Sequence, residues 1–169
     1  MRHLAPRLVP LAITILVTQV AIFPNLRLFG VLPDLGLLAA VAVAYREGPV
    51  PGLWFGFTVG FTYDLFLHTP TGLSALSYAI CAYLVGSLER GLLRRGRWLP
   101  SFLGLAGGLV EGFVFLSVGL IAGVGELASV RALSIEGRSA VYDAILAPAV
   151  FGLVGLVLRS DEPAWRLRD

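Results

Sequence analysis

Apolar runs of near-membrane length follow one another along almost the whole chain, with most charges confined to the short gaps between them. Crossing the hydrocarbon of a bilayer takes about 20 predominantly apolar residues in a helix. Without water to bond to, the spanning backbone must satisfy its own hydrogen bonds, and a helix does so within a single segment. Six spans can be drawn, at about residues 8–24, 31–45, 50–67, 72–90, 99–123 and 140–158. The second is short for a full crossing, which fits little tilt, an earlier start near Leu28, or shielding by neighbours. At 57% hydrophobic and 14% charged, the chain departs from soluble domains, which hold roughly 45–50% apolar and 25% charged residues. An all-α, polytopic membrane domain over residues 1–169 is expected, with no room for a separate soluble domain. Arg2 and Arg7 ahead of the first run resemble a secretion signal, but no small-residue cleavage site follows, so that run reads as an uncleaved first helix.

Arginine sets the expected orientation, because short loops rich in basic residues stay on the cytoplasmic side. With the N-terminus inside, Arg2, Arg7, Arg46, Arg90, Arg94, Arg95, Arg97, Arg159, Arg166 and Arg168 are cytoplasmic, and only Arg27, Arg131 and Arg138 lie outside. An even number of spans then puts both termini in the cytoplasm. The cluster ERGLLRRGRW at 89–98 reads as a topology anchor in contact with anionic lipid headgroups, or else as a contact for a cytoplasmic protein. Trp54, Trp98 and Trp165 fall near the same inner interface, where indole rings anchor to headgroups. The sequence pI of about 9.0 comes from these connecting segments, and no nucleic-acid surface is expected. Cys81 is the only cysteine, so an intramolecular disulfide and cysteine-based metal or redox motifs are excluded. The segment at 123–139 reads as either a solvated loop or a short helix lying in the interface.

Four acids fall within or at the ends of the spans: Asp34, Asp64, Glu111 and Asp143. An aspartate at the centre of a membrane helix costs on the order of 2.5–3.5 kcal/mol on insertion scales, so each needs a reason. Asp34 follows Leu32-Pro33 at the start of the second span. Proline suits a first helical position and an acid suits a first turn, which is a structural explanation as good as a functional one. Asp143 is placed in the first turn of the sixth span, with the same two readings. Asp64 lies near the end of its span, where the helix dipole opposes a negative charge, and must be wet, protonated or paired. Glu111 lies near the middle of the fifth span with no base in any span to neutralise it, so the neutral, hydrogen-bond-donating form is expected. The acids read as a cation or substrate site, or as a polar cluster facing a second protein.

In GLWFGFTVGFTYDL, residues 52–65, Gly52, Gly56, Gly60 and Asp64 form one slowly winding stripe. Gly104, Gly108 and Gly112 make a second stripe in the fifth span, with Glu111 beside it. Apolar attraction between helices is weak in lipid, and close approach through small residues is a main source of association. The stripes therefore serve packing within the bundle, or offer a groove to another protein's helix. Tyr63, Tyr78 and Tyr83 are expected to pack or hydrogen-bond within the bundle.

LPDLGLL at 32–38 and GLWFGFTVGFTYDLFLHTPTGLSALSYAICAYLVG at 52–86 resemble the rod shape-determining protein MreD family. The likeness rests on the LPDL opening of the second span, the glycine ladder ending in Asp64-Leu65, and Pro70 and Gly72 in a P-x-G turn. Ala75-Leu76, and Tyr83-Leu84 before Gly86, complete it. It covers about a third of the chain; residues 99–169 match in hydropathy alone. The resemblance implies a non-enzymatic, cofactor-free scaffold of the bacterial cell-wall elongation complex in the cytoplasmic membrane. It implies association with the bitopic protein MreC and, through it, with MreB, RodA and a class B penicillin-binding transpeptidase. It further implies packing or surface-shaping roles for Asp34, Gly56, Gly60, Asp64, Pro70 and Gly72. The family is also distantly similar to the substrate-binding membrane subunits of energy-coupling-factor transporters, which supplies a fold expectation and a rival function, binding of a small molecule among the acids. Those subunits present an A-x-x-x-A face on their first helix, whereas this first span has alanines only at Ala12 and Ala21, and Ala40-x-x-x-Ala44 lies on the second. Catalysis is not expected. His3 and His68 are the only histidines, one terminal and one in a loop. Asp34 and Asp64 lack the GxGD motif of an intramembrane aspartyl pair, and no phosphate-cradling loop or metal-ligand spacing is present.

Overall fold

The computed structural model describes residues 5–22, 31–66, 72–89, 96, 98–122 and 130–158. They form α1 (Ala5–Val17, extended by a π-helical turn at Thr18–Ile22), α2 (Leu35–Glu47), α3 (Pro49–Asp64), α4 (Leu73–Glu89), α5 (Leu99–Ala122) and α6 (Val130–Leu158). Among the described residues there is no strand. Pro70, His3, His68, Trp165 and the arginines of 90–97 lie outside them.

Two helices contain stretches long and apolar enough to cross a membrane, Leu99–Ser117 in α5 and Ser134–Leu158 in α6. Large apolar side chains are exposed on the other helices as well, α2 excepted. Val9, Ile13 and Val17 on α1, Phe57 and Phe61 on α3, Leu84 and Leu88 on α4, Phe113 on α5 and Ile145 and Leu156 on α6 all point outward. Gln19, Asp34, Asp64, Ser74, Ser77, Glu111 and Asp143 are buried. Exposed hydroxyls are returned to their own helices: Thr14, Thr18, Thr58, Thr62, Ser87 and Ser117 each donate to the carbonyl four residues back. That bond satisfies a hydroxyl where water is scarce.

The centre of the bundle is α2. Every residue from Leu35 to Ala44 is buried, and α2 packs on α3, α4, α5 and α6. At 13 residues and 1.5 Å per residue, it is about 20 Å long, short of the roughly 30 Å hydrocarbon. Shielding by neighbours is thus the structural accompaniment of its shortness. Gly48 joins it to α3 with φ 98° and ψ 177°, a region essentially reserved for glycine. Its N–H donates to the Ala44 carbonyl at 2.9 Å, and its carbonyl accepts from Gly52 N–H at 3.2 Å.

Around α2 stand two antiparallel pairs, α3 with α4 and α5 with α6, while α1 lies at the periphery against α2, α3 and α6. Both glycine stripes face helices of this chain. A Cβ on Gly56 would stand 2.9 Å from the Tyr78 carbonyl oxygen, and one on Gly60 2.6 Å from that of Ser74. Gly52 abuts Ala44 of α2, and Gly86 of α4 returns the contact at Pro49, where a Cβ would meet the backbone at 2.6 Å. On the other pair, Gly104 meets Asp143 and Ala147, Gly108 meets Ala140, and Gly112 meets Glu136. The helices are as close as backbones can come, and the stripes are filled from within.

The sixth helix begins at Val130, not near residue 140. Its first ten residues, VRALSIEGRS, carry Arg131, Glu136, Gly137 and Arg138; these interrupt the hydropathy without breaking the helix. The expectation that Asp143 sits in a first turn is therefore wrong: it lies more than three turns in. Pro33 likewise precedes the cap of α2 instead of occupying its first helical position, since Asp34 is the N-cap. Tyr83 faces outward at 46% exposure, unlike Tyr78, which is buried.

Candidate functional site

Leu32 to Leu35, the segment leading into α2, is where the buried polar groups meet. Asp34 caps α2, its Oδ1 accepting from Leu37 N–H at 3.0 Å, as a short acid does for the unpaired amides of a helix start. Its Oδ2 accepts from the Tyr78 hydroxyl of α4. Its own backbone N–H donates to Asp143 Oδ1 of α6 at 2.7 Å. Glu111 of α5 is buried close to Asp34.

Neighbouring peptides are held as firmly. Gln19, in the π-helical turn after α1, donates through Nε2 to the Pro33 carbonyl at 3.3 Å and accepts at Oε1 from Leu35 N–H at 2.9 Å. A π turn re-aims side chains relative to a regular helix and recurs at functional sites. Ser139 Oγ donates to the Leu32 carbonyl at 2.8 Å. One short stretch of α2's entry thus collects bonds from side chains of the turn after α1, of α4 and of α6. Each bond answers a backbone or carboxyl group that would otherwise be stranded away from water.

One group is left over. Asp143 Oδ2 is buried with no hydrogen-bond partner, and it stands 3.3 Å from where a Cβ on Gly108 would be. Glycine at 108 is therefore what leaves room for that carboxyl between α5 and α6.

Asp64 belongs to a different arrangement. From the end of α3 it accepts from Gly72 N–H at 2.8 Å, Ser74 N–H at 3.2 Å and Ala75 N–H at 3.2 Å. Those amides open α4, so the carboxyl opposed by its own helix dipole is matched to the positive end of the next one. The glycine ladder and its terminal acid have one cause. Gly56 and Gly60 bring α3 onto α4, and one turn further the same stripe meets α4's first amides. Gly72 itself has φ 104° and open space around it, so its glycine is required by backbone conformation and not by crowding.

Of the residues expected to form a site, Asp34, Glu111 and Asp143 converge, whereas Asp64 and Gly72 cap α4. Gly52, Gly56, Gly60, Gly104 and Gly108 contact neighbouring helices. Sequence reasoning missed Gln19 and Ser139. Gln19 carried a usable signal, being the chain's sole glutamine and lying within an apolar run. Among the described residues no three His, Cys, Asp or Glu side chains are grouped to hold a metal ion. Cys81 is buried, its thiol directed at the Gly107 carbonyl across the α4–α5 contact at 3.7 Å.

Among known proteins, the family described as rod shape-determining protein MreD matches residues 1–159 of the chain. No curated protein and no solved structure matches, so the expected likeness to energy-coupling-factor transporter subunits has no support.

Proposed function

This chain belongs to the MreD family of rod shape-determining membrane proteins, and from that premise we propose that it is a multi-pass scaffold of the bacterial cell-wall elongation complex that binds MreC. It crosses the cytoplasmic membrane six times with both termini inside, as the arginine distribution favours. MreB, RodA and a class B penicillin-binding transpeptidase are reached through MreC, and anionic lipid meets the basic inner segments. The observation that carries this reading is the family match over 159 of 169 residues. The bundle is consistent with a scaffold in one respect: its polar side chains are spent on holding helices together, as the bonds around Asp34 and Asp64 illustrate.

Because both glycine stripes are occupied by this chain's own helices, MreC is taken to meet an outward face. Phe57 and Phe61 of α3, Phe113 of α5 and Ile145 of α6 are exposed and can be changed without opening the core. The test is affinity purification of the tagged full chain from membranes of its host. Co-elution of MreC, lost in a variant of one outward face whose melting temperature equals the parent's, supports the reading. Absence of MreC from the purified chain, or a stoichiometric small molecule in its place, refutes it.

A further inference from the structure

Gly155 of α6 makes room for a charge and not for a helix. A Cβ there would collide with Nη2 of Arg46 and stand 2.8 Å from its Cζ and 3.3 Å from its Nε. The guanidinium thus lies against the α6 backbone, and Gly155 is buried. Glycine inside a helix is unfavourable relative to alanine, and at Gly52, Gly56, Gly60, Gly104 and Gly108 close packing on another helix offsets the loss. At Gly155 the three nearest atoms all belong to Arg46. Arg46 sits in the last turn of α2, where a cation complements the helix dipole, but that role needs no seat on α6. The arginine is nevertheless exposed. Its level also matters. α6 runs on past Gly155 through Leu156, Val157 and Leu158, about 4.5 Å of helix, and Leu156 is 71% exposed. The guanidinium therefore stands beside exposed apolar helix, inside its end and not beyond it. Arg7, in the first turn of α1, is at the same end of the bundle, since Gln19 at the other end of α1 bonds the entry of α2.

We propose that Arg46, seated on Gly155, binds the phosphodiester of an anionic phospholipid in the leaflet at the end of α2. A guanidinium fork matches two phosphate oxygens at once, and basic niches between helices at a membrane surface take such headgroups. Resting the fork on α6 fixes its direction, so less side-chain freedom is lost when the phosphate arrives. The acyl chains lie along Leu153 and Leu156, both exposed on α6. That this leaflet is the cytoplasmic one rests on the orientation proposed above. The binding itself depends on neither orientation nor MreC.

The test titrates the purified full chain in detergent with phosphatidylglycerol and, separately, with phosphatidylcholine of the same acyl chains, read by native mass spectrometry. The parent should retain phosphatidylglycerol in preference to phosphatidylcholine. Arg46→Gln should weaken phosphatidylglycerol binding about fivefold, the share of one basic residue at an anionic surface. Arg138→Gln, an exposed arginine near the other end of α6, should leave it unchanged. Gly155→Ala separates the seat from the charge: its Cβ displaces only the tip of a flexible side chain, so the variant should melt no lower than the parent and yet bind less. A parent without lipid preference overturns the proposal, as does Arg46→Gln or Gly155→Ala binding like the parent, or an equal loss in Arg138→Gln. If a carboxylate of the chain itself holds the guanidinium, Arg46→Gln leaves the preference intact. Displacement of the lipid by inorganic phosphate at equal concentration also overturns it, because a free anion is then the ligand.

Discussion

At the scale of single residues, the bonds around α2 and α4 differ in what their loss exposes. Tyr78→Phe removes the hydroxyl that Asp34 Oδ2 accepts from and leaves a buried carboxyl oxygen short of a donor, a loss of about 1–3 kcal/mol. Thermal melting in detergent should fall accordingly, with the fold otherwise intact. Asp64→Ala strips three amides at the start of α4 of their acceptor, and the cap term alone is about 0.5–2 kcal/mol. The neutral Asp64→Asn keeps an oxygen acceptor but not the charge facing the dipole, so it should fall between parent and Ala; equal melting of Asn and Ala would deny the electrostatic share. Gly72→Ala is expected to cost about 1–2 kcal/mol although its Cβ meets nothing, because φ 104° is where an L-residue is strained. These acids were visible in the sequence as anomalies, yet their partners were not. Asp34 and Asp143 are 109 residues apart, and nothing in local spacing pairs them. Gln19, Tyr78 and Ser139 are ordinary residues until folding delivers them to one peptide segment.

Helices are the level at which sequence was most informative. Long apolar runs announced α1 and α3 to α5 to within a few residues, because an apolar run leaves a hydropathy signal that needs no tertiary knowledge. The start of α6 was obscured by Glu136, Arg138 and Gly137, since charge lowers hydropathy while leaving helical propensity adequate. Four-residue glycine spacing announced close packing, but not with which helix. That answer lay in the register between antiparallel partners: Gly108 against Ala140 and Gly112 against Glu136. Gly108→Leu should therefore part α5 from α6 and displace Asp143, where overpacking costs about 1–3 kcal/mol or more. Gly152→Leu, on the exposed face of α6 with nothing within 4 Å, should be tolerated in the monomeric chain. The comparison is made by detergent-solubilised yield and melting of the two variants side by side. Should Gly152→Leu prove as damaging as Gly108→Leu, internal packing would not be what the fifth-helix stripe is for.

Viewed as a whole, the described residues bury Gln19, Asp34, Asp64, Ser74, Ser77, Glu111 and Asp143 within an otherwise apolar core, while many large apolar side chains face outward. Single-cysteine labelling in a Cys81→Ala background tests the topology proposed above, with residues at the Gly96 turn expected to react only with reagents that reach the cytoplasm. Labelling there from the outer side of intact cells would reverse the orientation. The order of synthesis adds a consequence of α2's central position. A segment about 20 Å long and covered mainly by later helices leaves the ribosome before most of its cover exists. Too short to span about 30 Å of hydrocarbon alone, it is expected to settle into its final place only as α3 to α6 arrive. Quality-control proteases should then distinguish nascent chains halted after α2 from those completed through α6, degrading the former quickly.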